Sequence, residues 1–138
     1  MPATKWLDTH IHVSNFTPQG EPRGDILGEL LAVMNRDGAD LRFVISPDFP
    51  WVGRMTTDAA QVLEASRFIH DLVQRAPGKL YGACMVNPNF LDASLRAMEV
   101  CFGEWGFVML GELLPYLMNH TMNSAPAERL VRLSLIHI

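Results

Sequence analysis

The segment from Trp6 to Val13, which reads WLDTHIHV, is the feature that most constrains the fold. It predicts a buried β-strand, in which successive side chains point to opposite faces. Asp8, His10 and His12 then share one face, and the two imidazoles stand about 7 Å apart at their Cβ atoms. Both rings can therefore reach one metal ion through bonds of about 2.0–2.1 Å. The alternative is that the rings only contact backbone carbonyls.

Three further apolar segments also have the character of strands, and each strand is followed by an amphipathic helix or the start of one. The strands are predicted at 6–13, 41–46, 80–86 and 107–114. The helices are predicted at 25–36, 57–75 and 91–105, and from Ser124 onward, with Asp25 as an N-cap and Asp37-Gly38 as a helix stop. Continuous apolar strands alternating with helices predict a parallel sheet with the helices packed outside it. No glycine-rich nucleotide-binding motif follows any strand of the sequence.

Glu112 is the third candidate for a metal ligand. In the predicted fourth strand it shares a face with Val108 and Leu110. A carboxylate within an apolar strand is costly unless it is paired or bound to a cation. The alternative is a strand-end Glu that reaches solvent or a nearby Arg.

Asp48 and Trp51 are the candidates for substrate contact. The segment Pro47-Asp48-Phe49-Pro50-Trp51 is predicted as the loop after the second strand, at the same end of a parallel sheet as the histidines. Trp51 has an equally good alternative as a cover over the edge of the core. His70, alone in the middle of its predicted helix, is interpreted as a boundary residue rather than a ligand.

Composition excludes several classes of protein. The chain has 138 residues, 49% of them hydrophobic and 19% charged, as expected for one small globular domain. The net charge of -4 and the lack of a basic block argue against nucleic-acid binding. No apolar run approaches the roughly 18 residues of a membrane span. Cys84 and Cys101 are predicted to be buried thiols, and without a signal-peptide pattern we expect a cytoplasmic location.

Three segments taken together resemble a known family. The segment LDTHIHV resembles the first strand of the amidohydrolase superfamily. The segments KLYGACMVNP at 79–88 and LGELLPY at 110–116 resemble its amidohydrolase-related branch, which includes aminocarboxymuconate-semialdehyde decarboxylase-like enzymes. The resemblance extends from about residue 5 to 132. It implies a distorted (β/α)8 barrel that binds one or two divalent metals, most often Zn²⁺ and sometimes Mn²⁺. It also implies that His10 and His12 are metal ligands, with Glu112 at a position that binds metal in some branches.

The resemblance also predicts the activity and the extent of the chain. It implies a metal-dependent hydrolase acting on a small carboxylate, lactone or amide, in which the cation lowers the pKa of its water from about 15.7 toward about 7. The alternatives are a decarboxylase of the same branch and a non-catalytic α/β domain with structural histidines. The family's remaining histidine ligands and its proton-shuttling Asp belong to strands five, six and eight. Residues 1–132 therefore correspond to the N-terminal half of a barrel. We expect the full-length parent protein to act on a small molecule. It could be a homo-oligomer.

The last six residues, LSLIHI at 133–138, resemble the translation of a transposon-end adapter used in sequencing libraries. We therefore expect the natural coding sequence to end near Arg132 and the remainder to be an adapter-derived tail. On this interpretation His137 is not the fifth-strand ligand. The natural continuation of the reading frame past Arg132 would identify the class of enzyme. We expect it to place a His at the end of strands five and six and an Asp at the end of strand eight.

The chain by itself is predicted to associate, to bind zinc weakly and to show no turnover. Its first and fourth strands would each have an unpaired edge, which a closed barrel abolishes. Sedimentation velocity at several concentrations should reveal dimers or larger species. A monomer that retains stoichiometric zinc after dialysis and hydrolyses an ester or amide in a His10-dependent way would contradict this expectation.

Overall fold

The computed structural model describes residues 5–36 and 40–137, and in this part of the chain four parallel strands form one sheet in the order β1-β2-β3-β4. The strands are β1 Lys5–Val13, β2 Asp40–Pro47, β3 Leu80–Cys84 and β4 Met109–Leu110. The helices are α1 Ile26–Asn35, α2 Phe49–Thr57, α3 Ala60–Arg75, α4 Leu91–Gly103, α5 Pro115–Met118 and α6 Ala125–His137, and a 3₁₀ turn, Pro88–Phe90, precedes α4. The predicted parallel sheet is confirmed.

The core lies between the sheet and the helices. Large side chains from every layer are fully buried there, among them Ile45, Met55, Ile69, Leu80, Met98 and Leu130. Each such side chain contributes about 1.5–3 kcal/mol relative to an exposed position. In the described residues no helix combines the length and the apolarity needed to cross a bilayer.

Several local predictions are confirmed. The Asp25 carboxylate accepts a hydrogen bond of 2.9 Å from the Gly28 N–H and caps α1. Cys84 and Cys101 are free, buried thiols. A hydrogen bond with Cys101, together with burial, raises the pKa of the Cys84 thiol well above its usual range. The predicted helix stop at Asp37-Gly38 lies outside the described residues.

The prediction of a loop at 47–51 is wrong. Helix α2 begins at Phe49, and Asp48 is its N-cap, with Asp48 Oδ1 accepting from the Phe49 N–H at 2.7 Å. Pro50 occupies the first turn, where its missing N–H costs nothing. An Asp followed by Pro two residues later is a helix-start signal, so the sequence contained the evidence for α2. The long helix predicted at 57–75 accordingly begins later, at Ala60.

Strand β1 was predicted to be buried, and this is wrong for most of its length. Residues 5–10 are exposed, and Trp6 and Leu7 retain 60% and 57% of their accessible surface. The reason is position: β1 pairs with β2 along one edge, and among the described strands it has no neighbour on the other. Only Ile11, His12 and Val13 approach the core.

Strand β4 is shorter than the predicted 107–114. Its ladder with β3 is regular only at Met109 and Leu110, although the Gly111 N–H still donates to the Cys84 carbonyl at 2.8 Å. Gly111 has a φ of 139°, a conformation that other residues rarely adopt, and it redirects the chain away from the sheet.

The C-terminal helix α6 follows the predicted Ser124 cap and continues to His137. Leu133 packs against the core, whereas Leu135 and Ile136 are each 78% exposed. The adapter origin of 133–138 stays a prediction.

Gly82 offers a test of how β3 packs. A Cβ at this position would lie 2.6 Å from the ring of the buried Phe107, so Gly82→Ala should lower the free energy of unfolding by about 1–3 kcal/mol. Gly53, inside α2, has open space around it, and Gly53→Ala should raise stability by about 0.5–1 kcal/mol. Urea unfolding of the two variants checks this. Equal effects of the two substitutions would contradict the packing of Phe107 on β3.

Candidate metal centre

His10 and His12 lie near the carboxyl end of β1 with their rings on one side of the strand. The ladder with β2 shifts register between Asp8 and Ile11, so that Asp8 pairs with Phe43 and His12 pairs with Ser46, on opposite faces of the sheet. The predicted shared face is therefore wrong for Asp8 and holds for the two histidines. Their Nε2 atoms are 3.1 Å apart, and the rings meet edge to face with centroids 4.9 Å apart. The two Nε2 atoms therefore lie close together at the mouth of the sheet.

Glu112 completes the group. Its Oε2 lies 3.1 Å from His12 Nε2 and 4.0 Å from His10 Nε2. Ligand atoms about 2.05 Å from a tetrahedral zinc ion are about 3.3 Å from one another. The two separations of 3.1 Å lie close to that geometry, and the separation of 4.0 Å between His10 Nε2 and Glu112 Oε2 is longer. Among the described residues this is the group of His, Cys, Asp and Glu side chains that is arranged to hold a cation.

The route by which Glu112 reaches the histidines differs from the predicted one. Leu110 pairs with Cys84, whose thiol contacts Cys101 of α4, so Leu110 faces the helices. Regular alternation would have turned Glu112 to that side as well. The strand ends at Leu110 instead, and the turn at Gly111 directs the Glu112 carboxylate to the concave side.

The orientation of the His12 ring is fixed by β2. His12 Nδ1 lies 3.3 Å from the Pro47 carbonyl oxygen and 3.3 Å from Ser46 Oγ. Because a carbonyl oxygen can only accept, the contact favours the tautomer with hydrogen on Nδ1. Nε2 is then left as an electron-pair donor, the arrangement usual for metal-binding histidines. Sequence reasoning missed Ser46 and Pro47, although their place at the end of the neighbouring strand was a usable signal.

A cavity of about 220 Å³ opens beside the three side chains. Asp48 lines it, and its contact with a substrate stays a prediction. The remaining wall is apolar or aromatic: Phe49, Val52, Leu114, Tyr116 and Leu117. Phe49 and Tyr116 are 65% and 77% exposed at the rim. The described residues that line this cavity include two carboxylates and no Lys or Arg.

The structure does not bring Trp51 to this cavity. Trp51 is buried, stacks on Phe68 with centroids 5.8 Å apart, and meets Phe16 edge to face. Its indole N–H donates to Asn15 Oδ1 at 3.1 Å, which attaches the loop after β1 to α2. Trp51 thus occupies the alternative position, covering the edge of the core. His70 lies apart from the metal-binding group and stacks on Trp105.

Comparison with solved structures shows the fold. A candidate amidohydrolase from Staphylococcus aureus superposes with a TM-score of 0.65 at 15% identity, over 94% of this chain and 43% of the other. A 2,6-dihydroxybenzoate decarboxylase, in complex with 2,6-dihydroxybenzoate, superposes with a TM-score of 0.60 at 16% identity, over 96% of this chain and 46% of the other. No family model matches the sequence, and no curated protein is significantly similar to it.

The chain spans less than half the length of either solved structure. Its four parallel strands with intervening helices form half of a (β/α)8 barrel, which confirms the predicted fold class.

The tautomer of His12 is directly measurable. In the zinc-loaded chain, long-range ¹H–¹⁵N NMR should show hydrogen on Nδ1, held by the Pro47 carbonyl, and no hydrogen on Nε2, which faces Glu112 and His10. In the metal-free chain Nε2 should carry hydrogen toward the Glu112 carboxylate, and zinc should displace it. Zinc bound through Nδ1, or an Nδ1 without hydrogen in the zinc-loaded chain, would contradict the contact with Pro47.

Proposed function

We propose that the chain is the N-terminal half of a metal-dependent enzyme of the amidohydrolase superfamily. In this proposal His10, His12 and Glu112 bind one divalent cation, Zn²⁺ first and Mn²⁺ second. The observation that carries the proposal is the convergence of two imidazole nitrogens and one carboxylate oxygen at separations of 3.1 to 4.0 Å. Two histidines and a carboxylate form a donor set common in catalytic zinc sites, which keep a position open for substrate.

Each residue has a defined part in this proposal. The contact with the Pro47 carbonyl orients the His12 ring, so that His12 donates its Nε2 lone pair in a fixed direction. His10, two residues earlier along β1, donates the lone pair of its own Nε2. The Glu112 carboxylate offsets part of the charge of the cation. When bound, the cation supplies a Lewis acid that polarises a carbonyl of the substrate. The apolar wall, which includes Val52 and Leu114, holds the body of the substrate and excludes water from one side.

Hydrolysis is the reaction that the charges of the cavity favour. With the cation bound, its two positive charges are balanced by Asp48 and Glu112, and among the described lining residues no Lys or Arg adds a further positive charge for a negatively charged substrate. A lactone or amide, whose carbonyl is neutral, needs no such charge. We therefore place a lactone or amide hydrolase ahead of an enzyme acting on a small carboxylate, with the proton-shuttling Asp expected outside this sequence.

Two alternatives remain open to experiment. A decarboxylase is supported by the solved decarboxylase among the structural neighbours and by the aromatic rim of Phe49 and Tyr116. A non-catalytic α/β domain would use His10 and His12 only for structure. In every enzymatic version the full-length parent carries the activity. The chain alone is proposed to be inactive because it holds only half of the barrel and lacks the expected proton-shuttling Asp.

Metal titration tests the proposal. Isothermal titration calorimetry of the metal-free chain with Zn²⁺ should give about one equivalent bound, and His10→Ala, His12→Ala and Glu112→Gln should each weaken binding by about tenfold or more. His70→Ala, which removes an imidazole remote from the group, is the matched control and should bind zinc as the unaltered chain does. Equal affinities in all these variants, or no zinc binding at all, would favour the structural role of the histidines.

A further inference from the structure

The apolar walls of the cavity belong to two helices that are distant in sequence. Phe49 and Val52 are on α2, and Tyr116 and Leu117 are on α5. The width of the cavity therefore depends on how α5 is held relative to α2. Because α5 is a single turn of four residues, it has little stability of its own.

The first part of a link between these helices is Asn87, in the turn after β3. This side chain is 1% exposed, and its Nδ2 donates to the Met55 carbonyl of α2 at 2.9 Å. The Asn87 backbone is itself fixed, because its N–H donates to Ser94 Oγ at 3.1 Å and its carbonyl accepts from the same hydroxyl at 2.7 Å. Asn87 therefore joins α2 to the start of α4.

The second part of the link is Asn89. Its backbone N–H donates to Asn87 Oδ1 at 3.0 Å. Its Nδ2 donates to the Met118 carbonyl at 2.6 Å and contacts the Asn119 carbonyl at 3.4 Å. These carbonyls end α5 and have no partner within that helix, as is usual at a helix C-terminus. A continuous chain of hydrogen bonds thus runs from Met55 through the two asparagines to the end of α5.

We propose that Asn87 and Asn89 are positioning residues that clamp α2 and α5 together, and so set the size of the substrate body that fits beside the cation. This role rests on the proposed function, in which the cavity receives the substrate. Neither asparagine lines the cavity, so each acts through the helix it holds. Loss of the Asn89 link should release α5 while leaving the three metal-binding side chains in place.

Two hydroxamates make the clamp measurable in the zinc-loaded chain. Acetohydroxamate and benzohydroxamate present the same chelating group, but only the phenyl group of the second reaches the apolar walls. In Asn89→Asp, which keeps the shape and removes the donor, benzohydroxamate should bind about tenfold more weakly, with zinc and acetohydroxamate affinities unchanged. Asn35→Asp, the same change at an exposed site on α1, is the matched control and should leave all three affinities unaltered.

The proposal of a clamp is overturned if Asn89→Asp leaves the ratio of the benzohydroxamate affinity to the acetohydroxamate affinity unchanged. Equal weakening of zinc and both hydroxamates would also overturn it, since that pattern indicates a general structural role. The second variant, Asn89→Ala, removes the donor without adding charge and should reproduce the loss for benzohydroxamate alone.

Hydrogen exchange tests the clamp even if the chain binds no zinc. The Met118 and His120 N–H groups donate to the Leu114 and Pro115 carbonyls, and these two bonds span α5 and the residues at its ends. In Asn89→Ala these two amides should exchange about tenfold faster, while amides in the middle of α3 keep their rates. Unchanged exchange in α5 overturns the clamp. Faster exchange without zinc binding supports the clamp and refutes the metal-dependent function.

Discussion

The contact between His12 and Glu112 is the constraint on which the functional interpretation depends. Two strands lie between β1 and β4, so in a flat sheet these edges would be about 14 Å apart. The side chains at their ends nevertheless meet at 3.1 Å, which requires the sheet to curl toward its concave side. Electron-pair donors from His10, His12 and Glu112 face one another at this point, and such a group is stable only with a proton or cation among them.

The curl is supported from the helix side of the sheet. Gly82 has no side chain, and the Phe107 ring occupies the space where its Cβ would be. Below this ring Cys84, Cys101 and the apolar faces of α3 and α4 are fully buried. The packed core therefore determines where β4 ends, and the end of β4 determines where Glu112 lies. The metal-binding group is a consequence of packing on the opposite face.

The walls of the cavity come from short helices, whereas His10 and His12 are on a strand. One side comes from α2, a two-turn helix capped by Asp48 and covered by the Asn15 loop through Trp51. The other side comes from α5, a single turn that buries Met118 in the core and whose last carbonyls accept from Asn89. In the proposed function, the histidines on a strand would hold the cation, and these short helices would shape the space beside it.

The sequence by itself determined the parallel β/α order and the pairing of His10 with His12, because strand alternation and hydrophobic period are local properties. It also indicated Glu112, but for the wrong reason, since a regular strand would have turned this side chain toward the helices. Only the tertiary structure decided the end of β4 at Gly111, the exposure of β1 and the burial of Trp51. Each of these depends on which elements pack against a segment, and the order of residues along the chain does not specify those neighbours.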